Sequence, residues 1–175
     1  MNETSLPTGK HGKAKFVLSP FWKLVVAILI CETTGLVSGL LSRSELSSWY
    51  QTLNKPTWNP PSWLFGPVWT FLYLLMAVSL WLIWKSNAFE TAKHRSMWIF
   101  ALQLFLNFWW SILFFNLHSP GLAFLDIIAM LIVIAITIVQ FAKISRPAAY
   151  LLVPYWAWVC FATILNYTIW VMNPT

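Results

Sequence analysis

Five runs of apolar residues, each long enough to cross a lipid bilayer, dominate this chain, over about 21–41, 66–84, 97–115, 122–141 and 150–172. At a helical rise of 1.5 Å per residue, about 20 such residues match a hydrocarbon core about 30 Å thick. Lipid offers no water to hydrogen-bond, so a spanning segment must satisfy its own backbone, as a helix does. The predicted fold is therefore an all-α integral membrane protein: a five-transmembrane-helix bundle with a long Pro/Trp-rich first loop.

Composition agrees. Of 175 residues, 59% are hydrophobic and 9% charged, whereas a soluble domain carries about 25% charge. A soluble chain of this length has too much surface to hide so much apolar side chain. A soluble enzyme, a disulfide scaffold and a disordered chain are all excluded. Residues 1–19 form a polar, basic tail that reads as disordered, and 20–175 form a single membrane domain. The run at 21–41 outlasts the apolar stretch of a cleaved signal peptide, about 7–15 residues, so it reads as a retained first helix.

The net charge is +6, but the basic residues flank apolar runs and form no continuous patch, which argues against a nucleic-acid partner. They orient the chain instead. With five spans, Lys10, Lys13, Lys15, Lys23, Lys85, Lys93, Arg95, Lys143 and Arg146 fall on one side, against Arg43 and Lys55 on the other. This bias predicts a cytoplasmic N-terminus. A bacterial cell membrane fits the tail, which lacks the Arg-rich, acid-free character of a transit peptide; the mitochondrial outer membrane is the alternative. Cys31 and Cys160 sit singly in apolar runs, and His11, His94 and His118 are scattered, so no metal or redox spacing arises.

Thirteen tryptophans are unusual. Trp22, Trp84, Trp98 and Trp170 lie near span ends, where indoles settle at the headgroup level. Trp69, Trp110 and Trp158 should lie deeper, where an indole can wall a pocket for a flat aromatic ligand. In the third span Gln103, Asn107, Trp110, Ser111 and Phe114 recur at helical spacing and share a face. Trp158, Ala162 and Leu165 form a similar stripe in the fifth span, with Thr163 and Asn166 nearby, and Trp69 and Tyr73 lie one turn apart in the second. Polar groups in lipid belong inside a bundle. Each amide alone reads as glue between helices; three aromatic and polar faces together read as a cavity.

Glu32 and Asp126 are the carboxyls placed within spans, either functional or neutralised by protonation or pairing. Gly35-x-x-x-Gly39, preceded by Cys31 and Ala27 at one-turn steps, is a small-residue stripe that permits close helix approach, chiefly within the monomer. The first loop, Ser42 to Phe65, holds Pro56, Pro60 and Pro61, which forbid a simple helix there. Its aromatic content predicts a lid folded back over the helix mouths.

Four ordered motifs carry a resemblance. They are Trp49-Tyr50 with Lys55-Pro56-x-Trp58-x-Pro60-Pro61; Pro67-Val68-Trp69-x-x-Leu72-Tyr73; Gln103-Leu104-x-x-Asn107-x-x-Trp110-Ser111-x-x-Phe114-Phe115; and Pro154-Tyr155-x-x-Trp158-x-x-x-Ala162-Thr163-x-Leu165-Asn166. Over about Phe21 to Asn173 the chain resembles the TspO/MBR family of tryptophan-rich sensory proteins and translocator proteins, the peripheral-type benzodiazepine receptors.

The resemblance implies a five-helix bundle, often a homodimer in contact with membrane lipid. It also implies a site beneath the first loop for porphyrins such as protoporphyrin IX, sterols and benzodiazepine-type drugs, with no cofactor required. Carried over by position, the ligand contacts are Tyr50, Pro60, Trp69, Asn107, Trp110, Ser111, Trp158, Ala162 and Leu165. One departure concerns sterols: no basic residue follows Tyr167, where the family's sterol pattern places one. The leading expectation is a receptor or sensor for a tetrapyrrole. Light-dependent porphyrin breakdown, with Trp69 and Trp158 as electron donors, and porphyrin or lipid transport are the alternatives.

Overall fold

The computed structural model describes residues 18–174; the basic tail, except for its last two residues, lies outside them. Among the described residues, five helices are long and apolar enough to span a membrane. They are α1 (Pro20–Ser47), α3 (Ser62–Trp84), α4 (Glu90–Ser111), α5 (Pro120–Ala142) and α6 (Arg146–Met172). A short helix, α2 (Trp49–Thr52), opens the first loop, and α4 continues into a π-turn at Ile112–Asn116.

Local chemistry sets the helix starts. Proline is tolerated in a first helical turn, where the missing N–H would have no partner, and Pro20, Pro120 and Pro147 all occupy such positions. Ser19 and Ser145 cap α1 and α6 by accepting from the backbone N–H of Trp22 and Ala148. Hydropathy alone places several ends too far inward. α1 runs on to Ser47, α3 begins at Ser62, α4 at Glu90 and α6 at Arg146. Beyond the apolar runs α1 and α4 continue with polar residues, because water can receive their side chains there, and α3 gains the turn Ser62-Trp63-Leu64-Phe65. The loop between α1 and α3 accordingly shrinks to Ser48–Pro61, and Glu45 and Glu90 join Glu32 and Asp126 as helical carboxyls.

The helices close into a ring in the order α1, α3, α6, α5, α4 and back to α1. The centre is filled by Met76, Ala77, Ile83, Phe100, Ile127, Met130, Ile134, Phe141, Leu152, Tyr155 and Val159, none more than 2% exposed. Close approach of α1 and α3 depends on small side chains. Ala27 and Cys31 are fully buried, and a methyl group added at Gly35 would lie 2.1 Å from the Tyr73 ring. Gly39 meets nothing, so the stripe serves contact within the monomer for its first three members and opens outward at the fourth.

Gly35→Ala should therefore push Tyr73 aside and lower stability by about 1–3 kcal/mol, whereas Gly39→Ala should be neutral. Thermal unfolding of both variants in detergent checks this.

Candidate functional site

Three helices meet at one amide. Asn107 of α4 accepts a hydrogen bond from the Tyr73 hydroxyl of α3 and donates one to the Tyr155 hydroxyl of α6 at 3.1 Å. Tyr155 in turn donates to Gln103 Oε1 at 2.9 Å. All four residues are buried. In a hydrocarbon interior an unpaired polar group is costly, so this network fixes the rotation of α3, α4 and α6 about their own axes. Trp69 lies against it, with ring centroids 5.6 Å from Tyr73 and 6.3 Å from Tyr155.

A second aromatic group stands between this knot and the loop. Trp158 packs against Phe65 at 6.3 Å and Phe161 at 5.4 Å, and Phe161 meets Trp58 of the loop at 5.9 Å. Trp110 stacks on Phe114 at 5.5 Å and donates its indole N–H to Asn166 Oδ1 at 2.9 Å; Asn166 then donates to the Pro120 carbonyl. Leu165 is buried with Tyr50, Phe114 and Ile169 in a cluster under the loop. Trp69, Trp110 and Trp158 are all half-buried, unlike Trp22 and Trp98, which are 55% and 75% exposed.

The loop does fold back. Tyr50 is buried against Phe114 and Phe115, and its hydroxyl donates to Asn59 Oδ1 at 2.8 Å. Lys55 gathers the turn by donating to the carbonyls of Tyr50 at 2.7 Å and Leu53 at 3.0 Å. Asn173 closes the far edge: it accepts from the Asn54 N–H and donates to the Asn54 carbonyl, each at 2.9 Å. At the near edge Trp49 stacks on His118 with centroids 4.4 Å apart, and His118 bonds Glu45 at 2.9 Å. Burial holds the Tyr50 phenol above its ordinary range, partly offset by the bond to Asn59.

The residues picked out by position thus fall into three settings. Trp69 and Asn107 belong to the tyrosine knot. Tyr50, Trp110, Trp158 and Leu165 lie under the loop, with Ala162 half-buried on the same helix and Pro60 half-buried in the loop itself. Ser111 differs, because its hydroxyl faces α1 and pairs with Ser42 Oγ at 3.0 Å. The π-turn that follows brings Asn116 to the same serine, also at 3.0 Å. The Asn107 amide is engaged by protein hydroxyls. One donor under the loop is not: the Trp158 indole N–H is buried without a partner among the described residues. The Gln103 side-chain nitrogen and one Asp126 oxygen are likewise buried and unpartnered.

Spacing alone missed Tyr155, which shares a face with Ala162 and Asn166 at intervals of seven and eleven residues. Its aromatic neighbours Trp156 and Trp158 mask that periodicity. A recess of about 590 Å³ opens elsewhere, on the outer seam between α1 and α4, lined by residues including Leu29, Thr33, Val37, Leu104, Phe105 and Phe108.

The profile of the TspO/MBR family matches residues 27–171. The chain is 41% identical over 155 residues to the tryptophan-rich protein TspO of Chlorobaculum tepidum, covering 86% of this chain and 96% of that protein. It is 34% identical over 155 residues to the translocator protein of Homo sapiens, covering 87% and 92%. Against the tryptophan-rich sensory protein of Cereibacter sphaeroides it is 32% identical over 147 residues, covering 83% and 89%.

Two outcomes test this geometry. Asn107→Leu should strand the buried Tyr73 hydroxyl, while Tyr155 keeps its bond to Gln103, and cost about 1–3 kcal/mol, read as a lower unfolding temperature. For Tyr50 the sign follows from its raised folded value. The folded state keeps a proton that the unfolded state loses, so stability falls as pH rises through the ordinary tyrosine value of 10.0. Tyr50→Phe should lessen the alkaline loss of stability in a pH series of thermal melts.

Proposed function

The chain belongs to the TspO/MBR family of membrane sensor and translocator proteins, and we propose that it is a receptor for a porphyrin-type tetrapyrrole held beneath the first loop. The observation that supports this best is the Trp158 indole N–H, buried without a partner among the described residues, on a ring packed against Phe65 and Phe161, the second of which meets Trp58 of the loop. A flat, largely apolar ring with peripheral acceptors suits such a lining: its faces stack on indole and phenyl rings, and a carboxylate or carbonyl takes the free donor. The tyrosine knot forms the rigid floor and Trp69 the step above it. Binding parts rings that now touch one another, so the loop lifts at the Asn54–Asn173 edge to admit the ligand. The excess of basic residues at one end supports a cytoplasmic N-terminus in a bacterial cell membrane, with the loop and its site facing the other side.

The outer recess favours a second reading, in which a hydrophobic ligand moves along the seam between α1 and α4. Flux of porphyrin across proteoliposomes separates this from binding alone.

Trp158→Ala and Trp69→Ala should each weaken protoporphyrin IX binding in detergent about tenfold, the equivalent of about 1.4 kcal/mol. Trp98→Ala, at the exposed rim, should leave it unchanged. Fluorescence quenching titrations provide the measurement, and unaltered affinity in both buried-site variants sinks the assignment.

A further inference from the structure

At the end of the bundle away from the loop, the described residues include Lys23, Lys85, Lys93, Arg95, Lys143 and Arg146, against one acid, Glu90. That acid is already engaged, by Lys93 at 2.7 Å. Two of the cations are held in place by α3. Lys23 donates to the Trp84 carbonyl at 3.3 Å, and Lys85 lies 3.4 Å over the face of Trp81. The Trp81 indole N–H donates to the Pro20 carbonyl at 2.8 Å, which ties the start of α1 to the last turn of α3. Neither Lys23 nor Lys85 has a carboxylate within 4.0 Å among the described residues.

We infer that this corner, formed by the start of α1 and the end of α3, is a docking surface for the headgroups of anionic phospholipids. Each lysine ammonium has three donors, and contacts among the described residues use one at Lys23 and none, beyond a ring face, at Lys85. Both ammonium groups are oriented by α3, so little side-chain freedom is lost when either meets a phosphodiester. Lys23 also covers a carbonyl at the negative end of the α3 dipole, the feature that would otherwise repel an anion. The depth is that of a headgroup: Phe21 and Trp22 beside the corner are 65% and 55% exposed, as rings at a membrane interface are. Among the described residues the opposite end offers one free-standing cation, Arg43, since Lys55 is folded onto carbonyls of its own loop, and Glu45 stands beside His118.

Native mass spectrometry of the full chain, extracted from mixed phosphatidylcholine and phosphatidylglycerol micelles, tests the surface. Phosphatidylglycerol should be retained in preference to phosphatidylcholine, and high salt should erase the preference. Lys23→Gln and Lys85→Gln should each reduce retention about fivefold, the share of one lysine near a charged surface. Arg43→Gln, at the other end, should change nothing. Equal retention of the two lipids overturns the inference. So does an Arg43→Gln loss as large as that of the lysine variants, which would assign retention to net charge alone.

Discussion

The hydrogen bonds of Asn107 with Tyr73 and Tyr155 are the constraint on which the arrangement of the bundle rests. Helices in lipid gain little by burying apolar side chains against each other, because the alternative surroundings are equally apolar. Shape and polar pairing must decide which faces turn inward. One carboxamide reaching two phenols on different helices does so here, and Gln103 extends the network by another bond. The small residues Ala27, Cys31 and Gly35 provide the matching shape, letting α1 lie against the back of Tyr73.

That floor determines what can be built above it. Because α3, α4 and α6 are locked at mid-depth, the residues one to three turns nearer the loop converge: Phe65 and Trp69 from α3, Trp110 and Phe114 from α4, Trp158 and Phe161 from α6. The loop then rests on rings whose positions are already set. It is fastened at two edges, by Asn54 with Asn173 and by Trp49 with His118, while its middle makes a turn closed by the Asn59 N–H donating to the Pro56 carbonyl at 3.0 Å. A rigid floor under a roof held at its rim suits the reversible uptake of a bulky hydrophobic molecule better than chemistry that needs fixed acids and bases.

Much of the candidate site was legible because polar residues inside an apolar run have few reasons to be there. Gln103, Asn107 and Asn166 announced buried faces, and the stripe from Ala27 to Gly35 announced a close contact. Ser111 misled, since its spacing matches the Asn107 face while its hydroxyl turns to Ser42 on α1. A helical wheel gives a face about a quarter-turn wide, and the hydroxyl's bond chose the neighbour at its border. Tyr155 entered only through its motif, and spacing did not assign it to the buried face because aromatic residues crowd its stretch of helix. The helix ends drifted for a different reason: hydropathy reports where lipid stops, and helices continue into water until a cap or a proline ends them.

By itself, the order of residues determined that five helices cross a bilayer, that basic residues gather at one end, and that a stiff aromatic loop follows the first span. Each of those depends on local quantities, namely apolar length, charge position and proline's missing N–H. Only the tertiary structure decided the ring order α1, α3, α6, α5, α4, the partners of Asn107 and the burial of the Trp158 indole N–H without a partner among the described residues. These depend on which side chains from distant segments meet within hydrogen-bonding distance, and helices that are apolar nearly all round leave that choice to their packing.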